Sequence, residues 1–353
     1  MTAFDDALAR VQPTDEAAAR EAAARHDRLT KPRGALGRME ALGIRLSAMS
    51  GLVPPPVPSP AAVAVFAGDH GVLDEGVTPW PKEVTAQMVA IFLAGGAAIN
   101  VLARQMGASV TVVDVGVDAE LPDAPGLVAA KVRRGTGNLA RGPALEPHEV
   151  DAALAVGASV AADLVRAGAR CLVTGDMGIG NTTASAAVIA AFTGRPAAGV
   201  TGRGTGIDDV TLERKVAAVQ AGLARLGVER HPRRVLAEVG GLEIVALAGF
   251  IVGGAAARVP VVIDGVIALA AACAAQAFQV DVVEWCIAGH RSTEPGASAA
   301  LEWLGLDPVL DLGLRLGEGS GACLALPVLE ASARVLAEMA TFDGAGVVDK
   351  LAE

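Results

Sequence analysis

From residue 61 onward, short apolar runs alternate with long stretches of helical periodicity. That rhythm is the mark of βαβ units feeding a parallel sheet. The runs at 61–67, 109–115, 171–174, 197–200, 259–263 and 281–288 read as strands. They end in Gly68-Asp69-His70, Gly116, Gly175-Asp176, Thr201-Gly202-Arg203, Asp264-Gly265 and Gly289-His290. Open parallel sheets bind ligands beyond the carboxyl ends of their strands. Glycine, aspartate and histidine gathered at these ends predict a site assembled from several strands.

Helical patterns cover 15–28, 83–105, 151–167, 208–226 and 324–339, and the proline-rich stretch 53–60 separates the first from the rest. The expected fold is α/β, a parallel Rossmann-like sheet flanked by helices over 60–290. A smaller, mainly helical domain is expected from 1–52 plus 291–353, with its Glu318 loop reaching the site. Aromatic residues are only 3% and Tyr is absent, so the core must be built from Ala, Val, Leu and Ile, which suits a buried parallel sheet. The most apolar run, 244–257, ends at Arg258 and falls short of the roughly 20 residues of a membrane span. A buried helix is expected there, and no membrane span. Asp5-Asp6 near the start fits no secretory signal, which points to a cytoplasmic protein.

The formal net charge of −10 argues against a nucleic-acid surface. Cys171, Cys273, Cys286 and Cys323 lie far apart in apolar stretches, without a CxxC pair. Buried thiols in a reducing compartment are expected, with no metal and no cofactor.

Four segments carry chemistry. Gly175, Asp176, Gly178, Gly180, Asn181 and Thr182 form a glycine-rich turn entering an Ala-rich helix. Such a turn offers backbone N–H groups to an anion. Its spacing approaches a P-loop, but Asn181 stands where the lysine would be, so a monophosphate or carboxylate suits it better than a triphosphate. Tight strand–helix packing explains the glycines equally well. Gly202, Arg203 and Gly204 form a second turn before the helix that carries Lys215, a residue that reads either as a phosphate contact or as a solvated lysine. In Gly68-Asp69-His70-Gly71 the Asp and His read as loop-shaping residues at the site edge. After the last strand, His290 or Glu294 can face the site, whereas Arg291 reads as solvated.

The fourth is Gly317-Glu318-Gly319-Ser320-Gly321. Three glycines leave the Glu318 side chain unobstructed. The flanking apolar segments 312–316 and 322–326 imply a raised pKa, suited to a general base near neutrality. A surface turn with an ordinary glutamate is the alternative.

These segments, together with 31–38, 83–89 and 95–100, resemble the nicotinate-nucleotide–dimethylbenzimidazole phosphoribosyltransferase family over nearly the whole chain. The resemblance implies a homodimer whose substrates are nicotinate mononucleotide and 5,6-dimethylbenzimidazole. A ring nitrogen of the benzimidazole attacks C1′, nicotinate leaves, and α-ribazole 5′-phosphate forms with inversion, in assembly of the cobalamin nucleotide loop. It implies that Glu318 is the base and that the two glycine turns and Lys215 hold the phosphoribosyl part. Gln87, Met88 and Leu316 would line the base pocket, Trp80 would narrow it, and Asp264 would contact substrate. Asp176 departs from the family's glutamate and Ala297 from its frequent histidine. A nucleotide-dependent kinase or a dinucleotide oxidoreductase is disfavoured by the missing lysine and the wrong glycine spacing. A non-catalytic nucleotide-binding module is the remaining alternative.

Overall fold

In a computed structural model describing residues 2–348, six strands form one parallel sheet. They are β1 (Ala61–Gly68), β2 (Ser109–Gly116), β3 (Leu127–Ala129), β4 (Cys171–Met177), β5 (Val261–Ile263) and β6 (Cys286–Ala288). The order is β3-β2-β1-β4-β5-β6 with every pairing parallel. The winding direction therefore reverses between β1 and β4, where a doubly wound sheet opens a crevice. The register Phe66↔Asp176 and Ala67↔Met177 sets Gly68-Asp69-His70 beside the turn that follows β4.

Side chains of β1 alternate between two helical layers. Phe66 meets Phe250 edge-on, 5.5 Å between centroids, on the helix Leu242–Ala256. Val63, of opposite parity, faces Gly319 at the start of the helix Ser320–Glu338. Helices Pro147–Arg166 and Leu242–Ala256 approach closely because Gly157 and Gly249 have no Cβ. A methyl group at either would strike the backbone carbonyl of Ala246 or Leu154. The run expected at 244–257 is thus a helix, buried throughout Leu242–Ala255.

Several expectations are corrected. Residues 197–200 are a single helical turn, Ala197–Val200, not a strand. Four apolar residues suffice for either, and β4 already has β1 and β5 as its two neighbours. Of 281–288 only Cys286–Ala288 is strand, because Val280–Trp285 winds as a 3-10 helix. The pattern at 83–105 is two helices, Glu83–Leu93 and Ala98–Met106, parted where Gly95 takes a φ of +77°. The last long helix begins at Ser320, straight after Gly319, rather than at 324. The edge strand β3 has two exposed residues in three, and its apolar run at 127–130 is too short to mark a strand.

Helices Glu16–Arg28, Arg38–Ser50 and Ser320–Glu338 pack together, with Ala22, Leu29 and Leu336 as a small separate core. Ala3–Leu8 instead packs on Pro147–Arg166, and Pro295–Leu304 on Asn181–Thr193 and Val266–Phe278. Those terminal pieces join the helices around the sheet. Segments Glu83–Met106 and Ser320–Glu338 have the length and hydropathy of a span, but the first is the pair parted at Gly95 and the second packs on β4 and β5.

Candidate active site

A cavity of about 430 Å³ opens at the carboxyl ends of β4, β5 and β6, on the β4 side of the switch point. Its floor is Asp176 and the turn Gly178–Thr183, and Gly178 is required because a Cβ would strike the Gly68 carbonyl. Gly180, at φ +94°, caps the helix Asn181–Thr193, whose N-terminus opens on the cavity. Asn181 donates from Nδ2 to Asp176 Oδ2 at 3.0 Å. The residue in the P-loop lysine position therefore serves the floor carboxylate.

The second turn supplies Arg203, Gly204 and Thr205. Lys215 is 2% exposed, which overturns the solvated reading. Its Nζ donates to Thr182 Oγ1 at 2.8 Å and to Gly202 O at 3.0 Å, linking the two glycine turns. Burial pulls its pKa down to about 8, against the opposing pull of the Glu294 carboxylate. Glu294 Oε1 accepts the Gly204 N–H at 2.8 Å, and its other oxygen packs where a Gly202 side chain would stand. Arg203 donates to Ile207 O at 2.8 Å and pairs with Asp209. Arg315 donates to Gly204 O at 2.8 Å from the segment that crosses the cavity mouth.

The opposite wall is apolar: Val77, Trp80, Val84, Met88 and Leu316. Trp80 and Leu316 are 50% and 59% exposed, so they form its rim. Gln87 does not join them. It is exposed, since one step along the helix from Met88 rotates a side chain by about 100°.

Glu318 lines the same cavity as the cradle and the wall. It is 6% exposed and holds φ at +66°, the left-handed region. Its Oε2 accepts the Ile99 N–H at 3.3 Å, at the N-terminus of Ala98–Met106, where partial positive charge favours a carboxylate. Burial nevertheless pushes its pKa up, the Ile99 hydrogen bond opposes, and the Asp264 charge adds to the rise. Asp176 is pushed well above the ordinary range by burial first, then by Asp264, Glu243 and Glu318. Two adjacent carboxyls are thus held toward their protonated forms by a dry, acidic setting.

Of the expected residues, Met88, Asp176, Gly178, Gly180, Asn181, Thr182, Arg203, Gly204, Lys215, Leu316 and Glu318 line the cavity. Gly175, Gly202 and Asp264 lie behind it. Gly175 makes room for the Glu318 carbonyl, which a Cβ would meet at 2.6 Å. Both His290 and Glu294 face the cavity. Arg291 pairs with Asp311 at 3.6 Å on the surface, as its solvated reading implies. His70 lies outside the lining, in a buried pair with Glu243 at 2.8 Å, and backs the Gly178–Gly180 turn. Its pKa is raised by Glu243 in spite of burial, the largest effect, which acts the other way. The sequence reading missed Arg315, Ser292 and the wall residues Val77 and Val84. Arg315 was hidden inside an apolar flank, although it is the only cation between Asp311 and Glu318.

Comparison with known proteins adds a family match. A phosphoribosyltransferase family model matches residues 11–347. The nicotinate-nucleotide–dimethylbenzimidazole phosphoribosyltransferase of Salinispora tropica is 56% identical over 97% of this chain and 98% of its own length. That of Geobacter sulfurreducens is 51% identical over 99% of each. A crystal structure of the enzyme so named from Thermus thermophilus superposes with a TM-score of 0.92 at 49% identity, over 95% of this chain and all of that one.

Proposed function

The chain belongs to the nicotinate-nucleotide–dimethylbenzimidazole phosphoribosyltransferase family, and we propose that it moves the 5-phosphoribosyl group from nicotinate mononucleotide to 5,6-dimethylbenzimidazole. Nicotinate and α-ribazole 5′-phosphate are the products, in assembly of the cobalamin nucleotide loop. The observation that carries this reading is Glu318, buried and lining the cavity that also holds the glycine-turn cradle and the apolar wall.

The phosphate suits the cradle, where the N-terminus of Asn181–Thr193, Lys215 and Arg203 supply donors and positive charge. The benzimidazole suits the wall formed by Val77, Trp80, Val84 and Met88. Its attacking nitrogen has a lone pair, while the other carries the proton that must leave. Glu318 accepts that proton as the new N–C1′ bond forms. The pyridinium departs as nicotinate with a neutral ring nitrogen and needs no acid. Positive charge growing at C1′ is stabilised by the Glu318 carboxylate until it takes up that proton.

We place the protein in the cytoplasm as a homodimer. Four buried, unpaired thiols fit a reducing compartment. Ile91 and Val101, on the helices after β1, expose 42% and 51% of their surface, apolar area that a second copy can cover. Neither a membrane span nor nucleic acid has a part in this reading.

Purified protein incubated with both substrates is expected to release nicotinate only when the benzimidazole is present. Absence of release, with nicotinate mononucleotide shown to bind, leaves the non-catalytic binding module as the correct reading.

A further inference from the structure

Gly317, Glu318 and Gly319 hold φ at +86°, +66° and +92° in succession. Two glycines adopt such angles freely, but a glutamate does so only when its surroundings enforce it. The Ile99 N–H that meets the Glu318 side chain restrains the carboxylate, not the backbone. What fixes the backbone lies beneath it. Asp264, 0% exposed at the end of β5, accepts the Gly319 N–H on Oδ2 at 3.2 Å and the Ala322 N–H on Oδ1 at 2.8 Å. Both N–H groups belong to the start of the helix Ser320–Glu338, so one carboxylate caps that helix from another strand.

Asp264 is itself immobilised. Its N–H donates to Thr174 Oγ1 at 3.0 Å, and that hydroxyl donates to Val262 O at 3.2 Å. His290 Nε2 approaches Oδ1 at 3.4 Å. The glycines of the run are matched to this support, since a Cβ at Gly319 would meet the Thr174 carbonyl at 2.9 Å and one at Gly321 would strike the His290 ring. Both Asp264 oxygens are taken by the turn, and the residue does not line the cavity.

We propose that Asp264 is the positioning residue of the reaction, holding the left-handed turn that directs the Glu318 carboxylate at the substrate. The proposal rests on Glu318 being the proton acceptor and corrects the reading of Asp264 as a substrate contact. Its charge has a second effect. The groups facing Glu318 are Asp176 from the end of β4, Asp264 from β5 and His290 from the end of β6. Asp264 contributes to keeping Glu318 above the ordinary glutamate range, after burial.

The test is steady-state kinetics of Asp264→Asn against pH. The amide keeps the size, offers an N–H where an acceptor is needed, and removes the charge. We expect kcat to fall about 10- to 100-fold, the effect of losing a buried charge-assisted hydrogen bond, with KM for nicotinate mononucleotide within about threefold. The acid limb of kcat/KM for the benzimidazole moves to lower pH. Asp264→Glu keeps the charge but shifts the anchor, so kcat falls while the acid limb stays, and it serves if the Asn variant does not fold. Asp264→Asn added to Glu318→Gln costs nothing further. Wild-type kcat in both variants, an unmoved acid limb in Asp264→Asn, or an equal loss in the Glu318→Gln background overturns the proposal. An active Glu318→Gln single variant would instead remove the base assignment on which it rests.

Discussion

The Glu294 carboxylate accepts the Gly204 N–H at 2.8 Å, so a negative side chain occupies a donor that faces the anion cradle. The same carboxylate supports the charge of Lys215. Phosphate entering the cradle meets this like charge and must displace it or share its donor.

Glu294→Gln keeps an acceptor for Gly204 and removes the charge. Repulsion between unit charges a few ångströms apart in a partly screened site predicts about 3- to 10-fold tighter binding of nicotinate mononucleotide near pH 7. Isothermal titration checks it. Weaker binding would mean that its support of the turn and of the Lys215 charge outweighs the repulsion.

Lys215 titrates in a range where most lysines stay charged. With its pKa pulled down to about 8, it is cationic below that pH and neutral above it, so kcat/KM for nicotinate mononucleotide declines as pH rises through about 8. Lys215→Met removes that decline and raises KM about 10-fold or more, as expected for a lost charge-assisted contact. A wild-type profile unchanged from pH 7 to pH 9.5 contradicts the assignment.

His26 sets an acid limit on stability. It is 2% exposed, and neither ring nitrogen has a partner among the described residues. It packs against Gly43, where a Cβ would lie 3.0 Å from Nε2. Burial depresses its pKa, Lys31 and Arg25 act in the same direction, and Glu40 and Asp27 oppose them. The unfolded chain then binds the proton more readily, so stability is lost as pH falls below the ordinary histidine value near 6.5. Urea denaturation at pH 7.5 and pH 5.5 is expected to show a smaller pH difference for His26→Leu than for wild type. Equal differences would show that His26 carries no such penalty.

The sequence made the architecture legible because burial leaves periodicity behind. The apolar runs of β1, β2 and β4 and the glycines after them marked the sheet and its ligand end correctly. Short elements leave too little signal. Ala197–Val200 reads as strand or helix alike, and β3 has only three residues, two of them exposed. A cavity-lining carboxylate stood out where glycines flank it, as at Glu318, whereas contacts made only by the tertiary fold left no local trace. Nothing local distinguishes Lys215, buried between two turns, from a surface lysine. Asp264 follows a strand like several other aspartates, and only the fold brings the Glu318 turn onto it. Gln87 and Met88 are adjacent in sequence, but helical rotation sends one to solvent and the other to the cavity.

Whether Glu318 accepts the proton of the incoming base is decided by Glu318→Gln. The amide preserves shape but cannot serve as a base near neutral pH. Single-turnover nicotinate release, with nicotinate mononucleotide binding measured on the same preparation, is expected to slow about 10²- to 10⁴-fold while binding stays within a few-fold of wild type. Wild-type release should fall on the acid side at a pH above the ordinary glutamate range, as the raised pKa requires. Release by Glu318→Gln at a rate near wild type, with binding intact, would contradict the account.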